Sequence, residues 1–262
     1  MQGFKQVRRA NARALCSPEQ NHLEQRRAAP HGAAMLTAGE MQILATSLSV
    51  ALWAILCALP LAIAVAYALS RPRLPGKSLL DALSHMPLVL PPVLVGYLLL
   101  LALGVRGPVG GFLDSVLHVR LVFTPAGAAI ATAVMCFPLM VRAIRLSFEA
   151  MDWRLFEAAA VLRASAWDRF VSLALPMAGP GVLAGAVTAF AAALGEFGAV
   201  ITFASNVEGK TQTLPLAIYS ALQVPGGEDR ALRLAGISIV LAVAGLAAGE
   251  YLQRWARRRA EG

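Results

Sequence analysis

Few residues in this 262-residue chain have types and spacing that could do chemistry. Glu208-Gly209-Lys210-Thr211 has the ending of a phosphate-binding loop, in which backbone N–H groups cradle phosphate and the lysine reaches its outer oxygens. That loop needs glycine at position 204, where the sequence has Ala204, and a preceding strand where this segment follows a long apolar run. No nucleotide site is read there. The histidines (His22, His31, His85, His118) fall too far apart for a shared site, and Cys16, Cys57 and Cys136 show neither ligand spacing nor a disulfide framework. No metal, cofactor or histidine-based catalysis is expected in the chain. Two carboxyls stand out by their surroundings. Glu196 lies in an apolar stretch, and Glu157 heads the charged, half-apolar insert "EAAAVLRASAWDRFVSLALP" at 157–176.

The segments that carry them are those of a membrane protein. Apolar residues make up 58% of the chain and charged ones only 15%, against about 45–50% and about 25% in soluble domains. The apolar residues come in runs long enough for helical spans, which need about 20 residues each. Five spans are read, at about 42–70, 82–104, 124–148, 178–203 and 232–252. Basic clusters at 71–77, 142–169 and 254–259 then share one face, which the positive-inside rule makes cytoplasmic. The net charge of +8 is explained by that placement, so a nucleic-acid partner is not expected. The fold class is all-α integral membrane protein, with a multi-pass domain over 42–253 and a basic cytoplasmic tail at 254–262.

Residues 1–36 differ from the rest. Lys5, Arg8, Arg9, Arg13, Arg26 and Arg27 stand there against Glu19 and Glu24. No stable helical period appears, and a disordered tail is expected. Its basic charge would fall on the outer face, against the rule, and a true start near Met35 would remove it.

Proline recurs inside the spans. The "PLVLPP" run at 87–92 points to a bent helix bordering a pathway, with packed kinks as the alternative. In the insert, Asp152 is placed to cap a first short helix through about Leu162. Ser165 and Asp168 fit a capping box opening a second helix, which Pro176 is expected to end. On the first helix Leu155, Ala158, Ala159 and Leu162 recur at i, i+3, i+4, i+7, giving one apolar face. The small alanines let another protein approach closely, and Glu157 offers it a charge.

Glu157-Ala158-Ala159, a spacer, then Leu173-x-Leu175-Pro176 resembles the "EAA loop" of binding-protein-dependent ABC importer permeases. "LPGKSLLD" (74–81), "MPLVLPPVLVGYLLL" (86–100), "FPLMVRAIRLSFE" (137–149) and "LGEFGAVITFASNVEGKTQTLPLAIYSALQ" (194–223) resemble the oxyanion branch of that family, the molybdate permeases. The resemblance implies a type I ABC importer transmembrane domain in the bacterial inner membrane, with a cytoplasmic C-terminus. It also implies a coupling loop over 152–176 that fits a groove in the ATPase. A homodimer is implied, working with cytoplasmic ATPase subunits that use ATP and Mg, a periplasmic molybdate-binding protein and membrane lipid. The chain itself is then a transport subunit and not an enzyme.

The resemblance assigns ATPase coupling to Glu157, Ala158, Ala159, Arg163, Leu175 and Pro176. Arg163 departs from the family, which has glycine at that bend. Either Arg163 tolerates a positive φ, or the two helices join differently. Pro91, Pro92, Gly195, Glu196 and Gly198 are candidates for the pathway or a gate. For Glu196 the alternative is a packing carboxyl satisfied by a neighbour, and as a carboxylate it is a poor ligand for a dianion. For Arg142 and Arg145, snorkelling to headgroups stands beside help in anion exit. The outer-loop elements "GKTQTLPLAIY" and "PGGED" either touch the binding protein or are plain connections. The alternatives in function are a permease for tungstate, sulfate or thiosulfate, and a stand-alone channel or carrier.

Overall fold

The computed structural model describes residues 36–71, 74–152 and 154–260, with side chains left aside at 253 and 255–260. The expected tail at 1–36 therefore lies, apart from residue 36, outside the described residues. The helices are α1 (Ala38–Ser70), α2 (Lys77–Val89), α3 (Pro92–Leu103), α4 (Pro108–Leu117), α5 (Pro125–Glu149), α6 (Arg154–Val161), α7 (Ala166–Arg169), α8 (Leu175–Leu194), α9 (Gly198–Phe203), α10 (Leu214–Leu222) and α11 (Glu228–Ala260). A π-helical stretch, Phe170–Ala174, joins α7 to α8.

Four helices are long and apolar enough to cross a membrane: α1, α5, the continuous 166–194 helix, and α11. The bent pair α2 and α3 makes a fifth if counted as one span. Lipid tails are as apolar as the side chains, so helices here associate through close packing of small residues. On α1, Ala51, Ala54, Ala58, Ala62 and Ala66 form a buried stripe, and on α8 the stripe is Ala178, Gly181, Gly185, Ala189 and Ala193. α5 packs between them: a Cβ on Gly185 would lie 3.3 Å from both the Ala143 Cβ and the Met140 Cα.

One expectation is sharpened and two are corrected. The bend expected at 87–92 is present as a full break, so that the span expected at 82–104 is two helices turned 116° to each other. Leu90 and Pro91 each precede a proline, which disfavours the α region, and both are extended (ψ 143° and 133°). The span expected at 178–203 ends at Leu194, and Glu196 sits outside any helix, in a break before α9. The outer loop expected over 204–231 contains α10, whose Leu214, Leu216 and Ala217 are buried. α10 is held by buried Ser47 on α1, whose hydroxyl accepts from the Leu214 N–H at 2.7 Å. The turn read at 225–227 is present: Gly226 has φ +80°, and the Gly227 N–H donates to the Val224 carbonyl at 3.0 Å.

Candidate coupling surface and broken helices

The insert follows α5. The Asp152 carboxylate accepts the Arg154 N–H at 3.0 Å, capping α6. The large aliphatic side chains on α6 and just past its end face outward: Leu155 is 48% exposed, Val161 83% and Leu162 82%. Glu157 and Ala158 are exposed and Ala159 half-buried. The apolar stripe read from the sequence is thus turned away from the protein. What faces inward is Phe156, 6% exposed, packed into the core that contains Phe148 and Met151.

The bend after α6 resolves the question about Arg163. Its φ is +62°. The Arg163 N–H donates to the Ala160 carbonyl and the Ala164 N–H to the Ala159 carbonyl, both at 3.0 Å. These are the paired bonds of a Schellman helix end, with arginine where glycine is usual. The left-handed conformation costs an L-residue about 1–2 kcal/mol, and the two closing bonds hold it there.

α7 opens with the full capping box. The Asp168 N–H donates to Ser165 Oγ at 3.0 Å, and the Ser165 N–H to Asp168 Oδ2 at 3.2 Å. Pro176 does not end this helix, contrary to expectation. The ladder shifts register first: the Leu175 N–H reaches back five residues to the Phe170 carbonyl. Pro176 then falls in the first turn of α8, where a missing N–H is tolerated. The helix runs unbroken from Ala166 to Leu194. Leu175 is half-buried and Pro176 exposed at this transition.

Aromatic rings tie the insert to the bundle. The Tyr67 ring on α1 meets Phe148 on α5 edge-on at 5.3 Å and Phe170 at 4.8 Å. Trp167, 71% exposed, lies 5.8 Å from Phe170. Arg71 donates to Tyr67 Oη at 2.7 Å and places its guanidinium 4.6 Å from the ring centre. Arg145, half-buried near the end of α5, donates to Asp81 Oδ1 on α2 at 2.9 Å and to Glu149 Oε1 at 2.7 Å. Its charge therefore ties α2 to α5, a role in neither earlier reading. Arg142 is exposed.

The two broken helices meet at their breaks. A Cβ on Gly198 would lie 2.7 Å from the Pro92 Cβ, and one on Gly96 would lie 2.7 Å from the Ala199 carbonyl oxygen. α9 and α3 are therefore packed backbone to backbone. Gly195 is different: its nearest neighbour would be the Ala192 carbonyl oxygen at 3.6 Å, an ordinary contact. Glu196 Oε1 accepts the Ala199 N–H at 2.9 Å. It serves as the cap of α9. The Phe197 ring lies 5.2 Å from that of Tyr219 on α10, tilted 53° to it, so the break is braced from both sides. Pro91 and Pro92 are exposed at the other break.

Comparison with known proteins matches residues 58–259 to the family described as the binding-protein-dependent transport system inner membrane component. The chain belongs to that family. Among relatives, it is 50% identical over 226 residues to the molybdenum transport system permease protein ModB of Escherichia coli K12, covering 86% of this chain and 99% of that one. It is 49% identical over 215 residues to ModB of Haemophilus influenzae, covering 82% and 94%. It is 36% identical over 184 residues to the sulfate transport system permease protein CysW of Synechococcus elongatus, covering 69% and 64%. A bacterial alginate ABC transporter, in complex with its alginate-bound periplasmic protein, shares the fold at TM-score 0.67 and 16% identity, covering 83% of this chain and 79% of that one. An inward-facing MetNI methionine ABC transporter does so at TM-score 0.58 and 13% identity, covering 82% and 93%.

For this inner-membrane transport component, the sequence reading located the insert and missed its attachment. Phe156 is the one aromatic residue on α6, a signal available beforehand. Tyr67, Gly96 and the α9–α3 contact depend on tertiary proximity, and nothing in the local sequence announces them.

Proposed function

We propose that the chain is the membrane-spanning permease subunit of an ATP-driven, binding-protein-dependent importer whose cargo is molybdate. Two copies form the pathway, cytoplasmic ATPase subunits engage the inserts, and a periplasmic molybdate-binding protein delivers the anion. The insert and the C-terminal basic tail lie on the cytoplasmic side. One observation carries the mechanism: the insert presents Glu157, Val161 and Leu162 outward while its second helix continues without interruption into a span. An exposed apolar patch beside a charge is a surface built for a partner. A 29-residue helix is about 43 Å long at 1.5 Å per residue, so moving the insert moves the far end of the span.

When ATP closes the motor subunits, their grooves carry the two inserts together. Phe156 and the Tyr67–Phe148–Phe170 contacts pass that displacement to α1 and α5, and 166–194 passes it to the break at Glu196. α9 and α3 then shift against each other, turning the cavity outward to receive the anion. Hydrolysis resets it. Selectivity belongs to the binding protein, which accounts for a pathway without strong anion ligands.

The molybdate assignment is supported by the 50% and 49% identities to molybdenum permeases over nearly their whole length, against 36% to a sulfate permease. The test is uptake of labelled molybdate by cells lacking their own system and supplied with this chain, its ATPase and its binding protein. Molybdate-dependent uptake resisting excess sulfate is expected. Uptake abolished by sulfate or thiosulfate would give the cargo to the sulfate class.

A further inference from the structure

At the end of the molecule opposite the insert, the last turn of α3, the connection at 104–107 and the segment leading into α5 line an open cavity of about 520 Å³. Its walls include Leu100, Leu101, Val122 and Phe123, and its charged lining is Arg106 and Arg120. The position is fixed by α5. Leu121 and Val122 pack with Phe203 near the start of that helix, whereas Phe148 and Phe156 pack near its end. The helix has 25 residues, about 37 Å at 1.5 Å per residue. The cavity therefore sits at the opposite membrane edge from the insert. Around it Phe112, Val116 and Leu117 on α4 are 58–60% exposed, as suits a short helix resting in the membrane interface.

Both arginines are exposed at the rim of the apolar walls and have donors to offer an anion. Asp114 supplies one: Arg120 Nε donates to its Oδ1 at 2.8 Å and Nη2 to its Oδ2 at 3.4 Å. That contact holds the Asp114 carboxyl below its ordinary range and the Arg120 guanidinium above its own. Among the described residues no hydrogen bond or ion pair engages Arg106, so the cavity keeps one positive charge uncompensated. A phosphodiester brings one negative charge. A small hydrated dianion would leave the apolar walls uncovered, whereas an acyl chain would cover them.

We propose that this cavity binds an anionic phospholipid, with its phosphodiester between Arg106 and Arg120 and an acyl chain along Leu100, Leu101 and Phe123. The site does not depend on the identity of the cargo. It anchors the α3–α4 corner, next to the broken helix, to the outer leaflet.

The test is native mass spectrometry of the purified full chain with dioleoyl phosphatidylglycerol or dioleoyl phosphatidylcholine. Phosphatidylglycerol should be retained preferentially. Arg106→Gln should weaken its retention by about tenfold, the usual scale for one charge-assisted contact, and leave phosphatidylcholine unchanged. Arg106→Gln leaves the Asp114–Arg120 pair in place, so the fold is kept, and Arg142→Gln at the other membrane edge should retain wild-type binding. Equal retention of both lipids, or undiminished phosphatidylglycerol binding by Arg106→Gln, would overturn the proposal. Displacement of the lipid by inorganic molybdate would overturn it too, in favour of an anion station for the cargo.

Discussion

Gly195 and Gly198 flank the same carboxylate, and the structure separates them sharply. Alanine at 198 would put its Cβ 2.7 Å from the Pro92 Cβ and 3.3 Å from the Val93 nitrogen. Carbon atoms rest at about 3.5–4.0 Å, so α9 would have to withdraw from α3 by roughly 1 Å. Neither side yields easily, since Pro92 is a ring fixed to the backbone and α9 is capped by Glu196 and buried through Ala199, Val200 and Phe203. Overpacking of this kind costs about 1–3 kcal/mol. Helix propensity works the other way, favouring alanine over glycine by up to ~1 kcal/mol. The net expectation for Gly198→Ala is a loss of about 1–2 kcal/mol, seen as a lower thermal midpoint of the purified protein in detergent. Gly195→Ala meets only a 3.6 Å contact at φ −96°, and its effect should stay within about 0.5 kcal/mol. Transport should fall with Gly198→Ala and persist with Gly195→Ala. Equal tolerance of the two, or greater damage from Gly195→Ala, would refute the reasoning that the breaks touch at Gly198.

Further expectations follow from the insert and the outer edge. Arg163→Gly should raise stability by about 1 kcal/mol through relief of the left-handed strain, read as a higher thermal midpoint, whereas Arg163→Val should lower it. Phe156→Ala should cost about 3–5 kcal/mol of local packing and make the insert a preferred site of limited proteolysis before the spans unfold. The Asp114–Arg120 pair predicts a pH response. Because the folded carboxyl titrates below its ordinary range, its contribution is complete above that range and fades as pH falls through the folded value. Asp114→Asn should remove that part of the acid sensitivity from thermal melts.

Local signals were legible in the sequence and long-range ones were not. The Ser165–Asp168 box and the Asp152 cap involve partners within three residues, so type and spacing sufficed. The bend at Arg163 was readable as a bend, though only the backbone could show that arginine adopts glycine's conformation. Hydropathy located the spans but runs straight through "LGEFGAV", because apolar character does not record where the ladder stops. Pro176 misled for a related reason: five π-helical residues come before it and put it in the first turn of the next α segment, where its missing N–H is tolerated. The Leu155–Leu162 stripe was read correctly as apolar. Its direction was missed, since Phe156 one position away decides which side faces the core.

The central claim is that the insert is the handle by which a separate motor drives the spans. Glu157 is exposed on that handle, so Glu157→Lys should leave folding and membrane insertion unchanged. The decisive measurement is ATP hydrolysis and molybdate uptake, followed together in vesicles containing the variant, the ATPase and the binding protein. The account predicts that uptake falls to background while the motor's own hydrolysis persists; uptake at the wild-type rate would contradict it.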